Sequence, residues 1–156
     1  MRLIIATIGH WKTGNKLTPE QILYERYAER IRASLELREI EEKRQYEANI
    51  LKKREGELLL AQVPDGAMIV ALDEEGKALN SKLFAKTLSN WQVDGEKCII
   101  FMIGGPGGLD EMVKQRANLV LSFGSLTWPH LLVRGMLAEQ IYRTECILNG
   151  HPYHRG

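Results

Sequence analysis

Apolar and polar positions follow two different spacings along this chain. Five short runs rich in β-branched and other apolar residues have the length of strands, at 3–8, 35–40, 68–72, 98–103 and 119–123. Between and after them, apolar residues recur at helical spacing, at 19–33, about 46–62, 81–93, 110–117 and 129–148. This alternation predicts an α/β fold with a mainly parallel sheet.

The last helical segment, 129–148, has the clearest pattern. Pro129 suits the first position of a helix, and apolar residues follow at helical spacing, namely Leu132, Met136, Leu137, Ile141 and Ile147. Asn149 and Gly150 then form a stop signal, and Pro152 prevents simple continuation. The remaining tail, HPYHRG, is richer in His, Tyr and Arg than a frayed terminus, so we expect it to dock over a site.

Composition supports one folded unit. The chain has 156 residues, of which 44% are hydrophobic and 26% charged, as in ordinary globular proteins. We find no repeat, low-complexity tract or long linker, and predict a single domain over 1–156. Cys98 and Cys146 are too few for a disulfide framework. The start lacks a signal-peptide pattern and no stretch approaches membrane-spanning length, so we expect a cytoplasmic protein without membrane contact.

Charge gives no direct pointer to a polyanionic partner. Lys and Arg total 21 against 20 acidic residues, a net charge of +1. Basic residues cluster at 43–44 and 52–54, but glutamates surround both groups. The clusters therefore read as a solvated helix face rather than as a nucleic-acid interface.

Three loops at strand ends are the first places to look for chemistry, because open parallel sheets bind ligands beyond the carboxyl ends of their strands. They span 72–76, 104–108 and 124–129. The second loop has four glycines, which suit either close backbone approach to a ligand or a plain strand-to-helix turn. Its glycine spacing matches neither a P-loop nor the dinucleotide motif, which disfavours an NTP or dinucleotide site.

The third loop has two readings of equal weight. Small residues, the Thr127 hydroxyl and the Trp128 ring could cradle an adenine or a ribose. Equally, Thr127 could be the N-cap of the following helix, with Trp128 in the core.

The four histidines, His10, His130, His151 and His154, do not predict a metal site. Pro152 between the last two blocks helical i, i+3 geometry, and no third Cys or carboxylate lies nearby in the sequence. We therefore predict no metal.

Three segments closely resemble the RlmH family of ribosomal RNA large-subunit methyltransferases: IIFMIGGPGGL, SFGSLTWPHLLVRGMLAEQIYR and the ending HPYHRG. The segments MIVALDEEGK and ATIGHWK match less tightly. The resemblance implies a SPOUT-type α/β fold with a C-terminal trefoil knot, acting as a homodimer. Ordinary topology rules argue against a knot, so only the resemblance predicts one.

The resemblance also implies an activity and its residues. The family transfers a methyl group from S-adenosylmethionine to N3 of a pseudouridine in 23S ribosomal RNA, within the ribosome. By position, the cofactor contacts fall on Leu72, Gly104, Phe123, Gly124, Ser125, Leu126, Thr127 and Trp128. The tail residues His151, Tyr153, His154 and Arg155 would lie beside the transferred methyl group and the incoming nucleotide.

We hypothesise that His154 or Tyr153 assists the loss of the N3 proton, while Arg155 orients a phosphate or the developing oxyanion. The alternative from another class is a non-catalytic nucleotide-binding or interaction module that uses the glycine loop for a different ligand.

Overall fold

The computed structural model describes residues 1–156. Its elements follow one another in the order β1 (Arg2–Ile8), α1 (Pro19–Ala28), β2 (Ser34–Ile40), α2 (Ala48–Leu60), β3 (Met68–Lys77), α3 (Ser81–Val93), β4 (Cys98–Ile103), α4 (Glu111–Arg116), β5 (Leu119–Leu121) and α5 (His130–Leu148). All five strands and all five helices expected from the sequence are present, with shifted ends in several cases.

The five strands form one sheet in the order β2-β1-β4-β3-β5, and every pairing is parallel. The predicted α/β class is therefore confirmed. The order places β4, β3 and β5 side by side, so their carboxyl ends open onto the same edge of the sheet. The loops that follow them must meet there.

Both faces of the sheet are covered, which explains why the strands are continuously apolar rather than alternating. On one face, Ile5 and Phe101 pack with buried residues of α1, α3 and α5. On the other, Ile100 and Met102 pack with Leu59 of α2 and with residues near α4. No helix is both long enough and apolar enough to cross a membrane.

The first helix is shorter than its sequence pattern indicates. It ends at Ala28 instead of continuing to residue 33. The Glu145 carboxylate on α5 accepts hydrogen bonds from the backbone N–H groups of Arg32 at 2.8 Å and Ala33 at 2.9 Å. This distant acceptor draws the segment away from the helix, and local periodicity gives no sign of it.

The third strand is longer than predicted, and the fifth is shorter. The third runs to Lys77 instead of ending at 72, but its pairing with β5 shifts register between Leu72 and Lys77. A side chain at Gly76 would lie 2.6 Å from the Val120 carbonyl oxygen, so only glycine fits this crossing. β5 itself ends at Leu121 instead of 123.

Candidate cofactor cleft and C-terminal tail

The expected loop at 72–76 lies within β3 instead of following it, and together with the loops after β4 and β5 it encloses a cleft of about 810 Å³ at the carboxyl edge of the sheet. Seven of the eight residues expected to contact the cofactor line it, namely Leu72, Gly104, Phe123, Gly124, Leu126, Thr127 and Trp128. Ser125 belongs to the same loop but is exposed and does not line the cleft. The side-by-side order of the three strands is what brings these distant segments together.

The glycine loop is a tight turn and also a wall of the cleft. A Cβ at Gly104 would lie 2.7 Å from the backbone of Gly108, which therefore requires glycine at 104. The Gly108 N–H donates to the Gly105 carbonyl at 2.9 Å, and Gly108 has a φ of 82°. Gly107 has open space around it. The reading as a turn is therefore confirmed, and the loop also lines the cleft, whereas its close approach to a ligand stays a prediction.

The third loop is tied to the first rather than capping α5. Thr127 Oγ1 donates to Glu74 Oε2 at 2.9 Å, and Ser122 Oγ donates to the Glu74 carbonyl at 3.0 Å. The N-cap of α5 is Pro129, with no side-chain cap, so the reading of Thr127 as N-cap is wrong, and the helix begins one residue later than predicted. Trp128 is 39% exposed, so it is not a core residue.

Acidic side chains form one wall of the cleft. Asp73, Glu74 and Glu75 all line it, in the segment where β3 slips against β5. Lys114 lies across from them, with Nζ 3.9 Å from Asp73 Oδ1. Burial alone would lower the pKa of Lys114, but the neighbouring carboxylates, Asp73 first, outweigh it and raise that pKa. The wall is therefore polar and partly neutralised.

His130, the first residue of α5, also lines the cleft. Burial, and then the nearby charge of Arg134, lowers the pKa of this imidazole. The ring is therefore neutral at neutral pH. A cationic ligand in the cleft therefore meets carboxylates and no competing positive charge from His130.

A buried guanidinium fixes α5 beside the cleft. The Arg134 side chain is fully buried, donates to Glu39 Oε2 at 2.7 Å and to the Gly9 carbonyl at 2.9 Å, and lies 4.3 Å from the Trp11 ring centre. These partners follow or end β1 and β2. Arg134 therefore ties the helix that carries His130 to the carboxyl ends of two neighbouring strands.

The C-terminal tail docks on α5. The Tyr153 hydroxyl donates to Glu139 Oε1 at 2.9 Å, and its ring packs 4.9 Å from the Tyr142 ring. Arg143 lies over the Tyr153 ring and places a guanidinium nitrogen 3.1 Å from His154 Nδ1. The ending is therefore ordered against a helix, whereas Arg155 is exposed.

Within one chain, the tail and the cofactor cleft do not meet. On α5 the cleft is lined by His130 and Val133, whereas the tail binds Glu139 and Arg143. At 1.5 Å per residue, these anchors lie roughly 9 and 15 Å beyond Val133 along the helix. A second cavity of about 740 Å³ is lined by both Phe123, just before the third loop, and Glu139.

The tail histidines make protein contacts. His151 Nδ1 accepts from the Tyr153 backbone N–H at 3.1 Å, and His154 Nδ1 faces Arg143. No group of three His, Cys, Asp or Glu side chains in the chain is arranged to hold a metal ion.

A family model described as "Predicted SPOUT methyltransferase" matches residues 1–154, nearly the whole chain. The chain belongs to the SPOUT methyltransferase family. The resemblance seen in the sequence is therefore confirmed, and with it the fold class. The trefoil knot that the SPOUT class implies stays a prediction.

Full-length relatives agree with this membership. The chain is 50% identical over 155 residues to a ribosomal RNA large subunit methyltransferase H from Paramagnetospirillum magneticum, covering 99% of both chains. The identity and coverage are the same for a protein of that name from Rhodospirillum centenum. A solved structure, a probable methylase family protein from Haemophilus influenzae, shares the fold with a TM-score of 0.55 and 10% identity, covering 97% of this chain and 67% of that one.

For this SPOUT chain, sequence reasoning found the loops of the cleft but missed several of its side chains. Glu74 links the first and third loops, and Lys114 and His130 line the same cleft. The acidic loop at 72–76 was a visible signal. All three of its carboxylates line the cleft, in a segment where β3 shifts register against β5, and no local pattern reveals that shift.

Proposed function

We propose that this SPOUT chain is an S-adenosylmethionine-dependent methyltransferase that methylates N3 of a pseudouridine in 23S ribosomal RNA. The observation that carries the proposal is the single cleft in which the second half of β3 and the loops after β4 and β5 converge. The names of the full-length relatives support ribosomal RNA of the large subunit as the substrate.

The lining residues suit S-adenosylmethionine. Leu72, Phe123 and Trp128 offer apolar and aromatic surface, and Gly104 lets backbone approach a ligand closely. Glu74 on the same lining favours a cationic ligand. When bound, this cofactor supplies a methyl group activated by attachment to a positively charged sulfur.

The role of the chain is to position the reacting groups and to exclude water from them. Loops on rigid strand ends hold the reacting groups in line, which supplies much of the acceleration expected for a displacement reaction. His154 and Arg155 of the tail face the acceptor nucleotide, while Tyr153 anchors the tail on α5. Chemistry of this kind runs without a metal ion.

The enzyme acts as a homodimer. Because each tail is anchored about 9 to 15 Å along α5 from its own cleft, the tail of a second copy completes the site. Closed twofold dimers are the commonest assemblies of identical chains. A site shared in this way also gathers basic residues from two chains, each of which has a net charge of only +1.

The substrate is the assembled ribosome in the cytoplasm. A nearly neutral protein gains little affinity from phosphate contacts alone, so recognition relies on the shape of the ribosomal target.

Two measurements test the proposal. Calorimetry should detect binding of S-adenosylmethionine but not of NAD or GTP. Ribosomes that lack the modification should accept labelled methyl groups at pseudouridine N3, and a naked RNA stem-loop should accept far fewer. Absence of S-adenosylmethionine binding, or binding without methyl transfer, would instead favour a non-catalytic module.

A further inference from the structure

The contact between Arg143 and His154 determines which ring nitrogen of His154 carries a proton. An Arg143 Nη1 atom lies 3.1 Å from His154 Nδ1. A guanidinium has only donors, so the histidine nitrogen must accept. In a neutral imidazole the other nitrogen then carries the hydrogen. His154 therefore presents a donor, Nε2–H, as its free end.

The guanidinium is itself held in place. Arg143 Nε donates to Glu139 Oε1 at 2.9 Å, and a second Arg143 nitrogen pairs with the same oxygen. Arg143 also lies 4.8 Å from the centre of the Tyr153 ring. Because Glu139 and Arg143 are one turn apart on α5, the helix itself fixes the donor that faces His154.

Tyr153 is committed to the same carboxylate. Its hydroxyl donates to Glu139 Oε1 at 2.9 Å and lies 3.5 Å from the Tyr27 hydroxyl. Burial, then these two contacts, raises the pKa of Tyr153 well above that of a free tyrosine. The phenol therefore stays protonated and anchors the tail, and it does not accept a proton in the reaction.

We infer that His154 acts as a hydrogen-bond donor through Nε2–H, and not as the base, with Arg143 and Glu139 as positioning residues that set its tautomer. The inference rests on the proposed function and narrows the initial hypothesis for His154 and Tyr153. The imide N3–H bond breaks with its electron pair left on nitrogen, and the proton passes to solvent water. The negative charge spreads onto the neighbouring carbonyl oxygens, and His154 donates to one of them.

The tautomer can be measured without cofactor or substrate. Two-bond ¹H–¹⁵N correlation spectra of the labelled full-length chain at about pH 8, where an ordinary imidazole is neutral, should show His154 with a bare Nδ1 and a protonated Nε2. The His154→Gln spectrum assigns the signal. A proton on Nδ1 in the wild-type protein would overturn the inference.

Kinetics separate a donor from a base. Glutamine keeps an N–H donor at about the reach of Nε2 but has no basic nitrogen, so His154→Gln should retain single-turnover methylation within about tenfold of wild type. His154→Ala should lose about 100-fold or more, as when one donor to a developing oxyanion is removed. Equal loss in both variants would mean that His154 is the base.

The positioning role has its own readout. In Arg143→Met the single His154 tautomer should give way to a mixture of tautomers, and the methylation rate should fall while the affinity for S-adenosylmethionine is unchanged. Arg143→Lys should restore part of the single tautomer and part of the rate. An unaltered tautomer in Arg143→Met would refute the role of Arg143. If the wild-type protein methylated no ribosomes but showed the expected tautomer, the proposed function would fail while the assignment of the hydrogen stood.

Discussion

At the scale of single residues, Arg134 is a side chain that both stabilises the fold and positions a residue of the cleft. It is the largest fully buried side chain, and its partners on Glu39 and Gly9 lie 95 and 125 residues away along the sequence. A buried guanidinium is costly unless its charge is paired, and Glu39 supplies that pairing, although Arg134 Nε has no hydrogen-bond partner. The position of its neighbour His130 in the cleft lining therefore depends on contacts that Arg134 makes near the N-terminal strands β1 and β2.

Arg134→Ala should destabilise the protein by about 3 to 5 kcal/mol, because it empties a fully buried position, breaks the ion pair with Glu39 and removes the donor to the Gly9 carbonyl. Urea unfolding followed by circular dichroism measures this. Arg26→Ala, at an exposed position of α1, is the matched control and should change stability by less than about 0.5 kcal/mol. A similar small effect in both variants would contradict the assignment.

The raised pKa of Tyr24 predicts that the free energy of unfolding falls at alkaline pH. Burial is the main cause that raises the pKa of Tyr24 to about 12, against 10.0 for a free tyrosine. Between these values the unfolded chain releases this proton while the folded chain keeps it, so stability falls as pH rises, by about 2 to 3 kcal/mol for this group. Urea unfolding at about pH 9 and about pH 11.5 should show a shallower decline in Tyr24→Phe. Parallel declines would count against this explanation.

At the scale of elements, the pattern of apolar and polar residues predicts which helices and strands exist better than it predicts the residues at which they end. The helix at Ser81–Val93 and the strand at Cys98–Ile103 match their predicted bounds, and the Asn80 side chain caps the first of them. Two of the errors have the same cause, which is a contact with a residue distant in sequence. Glu145 shortens α1, and the crossing at Gly76 shifts β3 against β5. Periodicity describes neighbours in sequence and cannot register such contacts.

The glycine loop offers a matched pair of substitutions. A methyl group at Gly104 would lie 2.7 Å from the Gly108 backbone, whereas one at Gly107 meets nothing within 4 Å. Accommodating a methyl group at Gly104 costs about 1 to 3 kcal/mol. Gly104→Ala should therefore weaken S-adenosylmethionine binding by about tenfold or more. Calorimetry should find Gly107→Ala close to wild type. Equal affinities for Gly104→Ala and wild type would show that the loop does not shape the cleft.

At the scale of the whole molecule, the location of the cleft followed from a general rule about parallel sheets. The loops at 72–76, 104–108 and 124–129 were found in this way, and the strand order confirms that they adjoin. The separation of the tail from the cleft was not predictable. It depends on how Tyr153 folds back on Glu139, a contact between two side chains that no spacing rule connects.

The proposed homodimer predicts complementation between two defective chains. Gly104→Ala damages the cleft and His154→Ala damages the tail, so a mixed dimer keeps one cleft and one tail that are both intact. If the tail acts across the interface, co-expressed variants purified through different tags should methylate ribosomes faster than either variant alone. No recovery in verified mixed dimers would show that each chain uses its own tail.

The contacts of α5 also bear on when the cleft forms during synthesis. Arg134 on this helix reaches back to Gly9, across 125 residues, and contacts so far apart in sequence form slowly because a long loop must close first. A growing chain that has made the glycine loop but not yet α5 lacks the His130 wall. The complete cleft can therefore form only once nearly the whole polypeptide has been made by a ribosome, the same type of particle that the finished enzyme is proposed to modify.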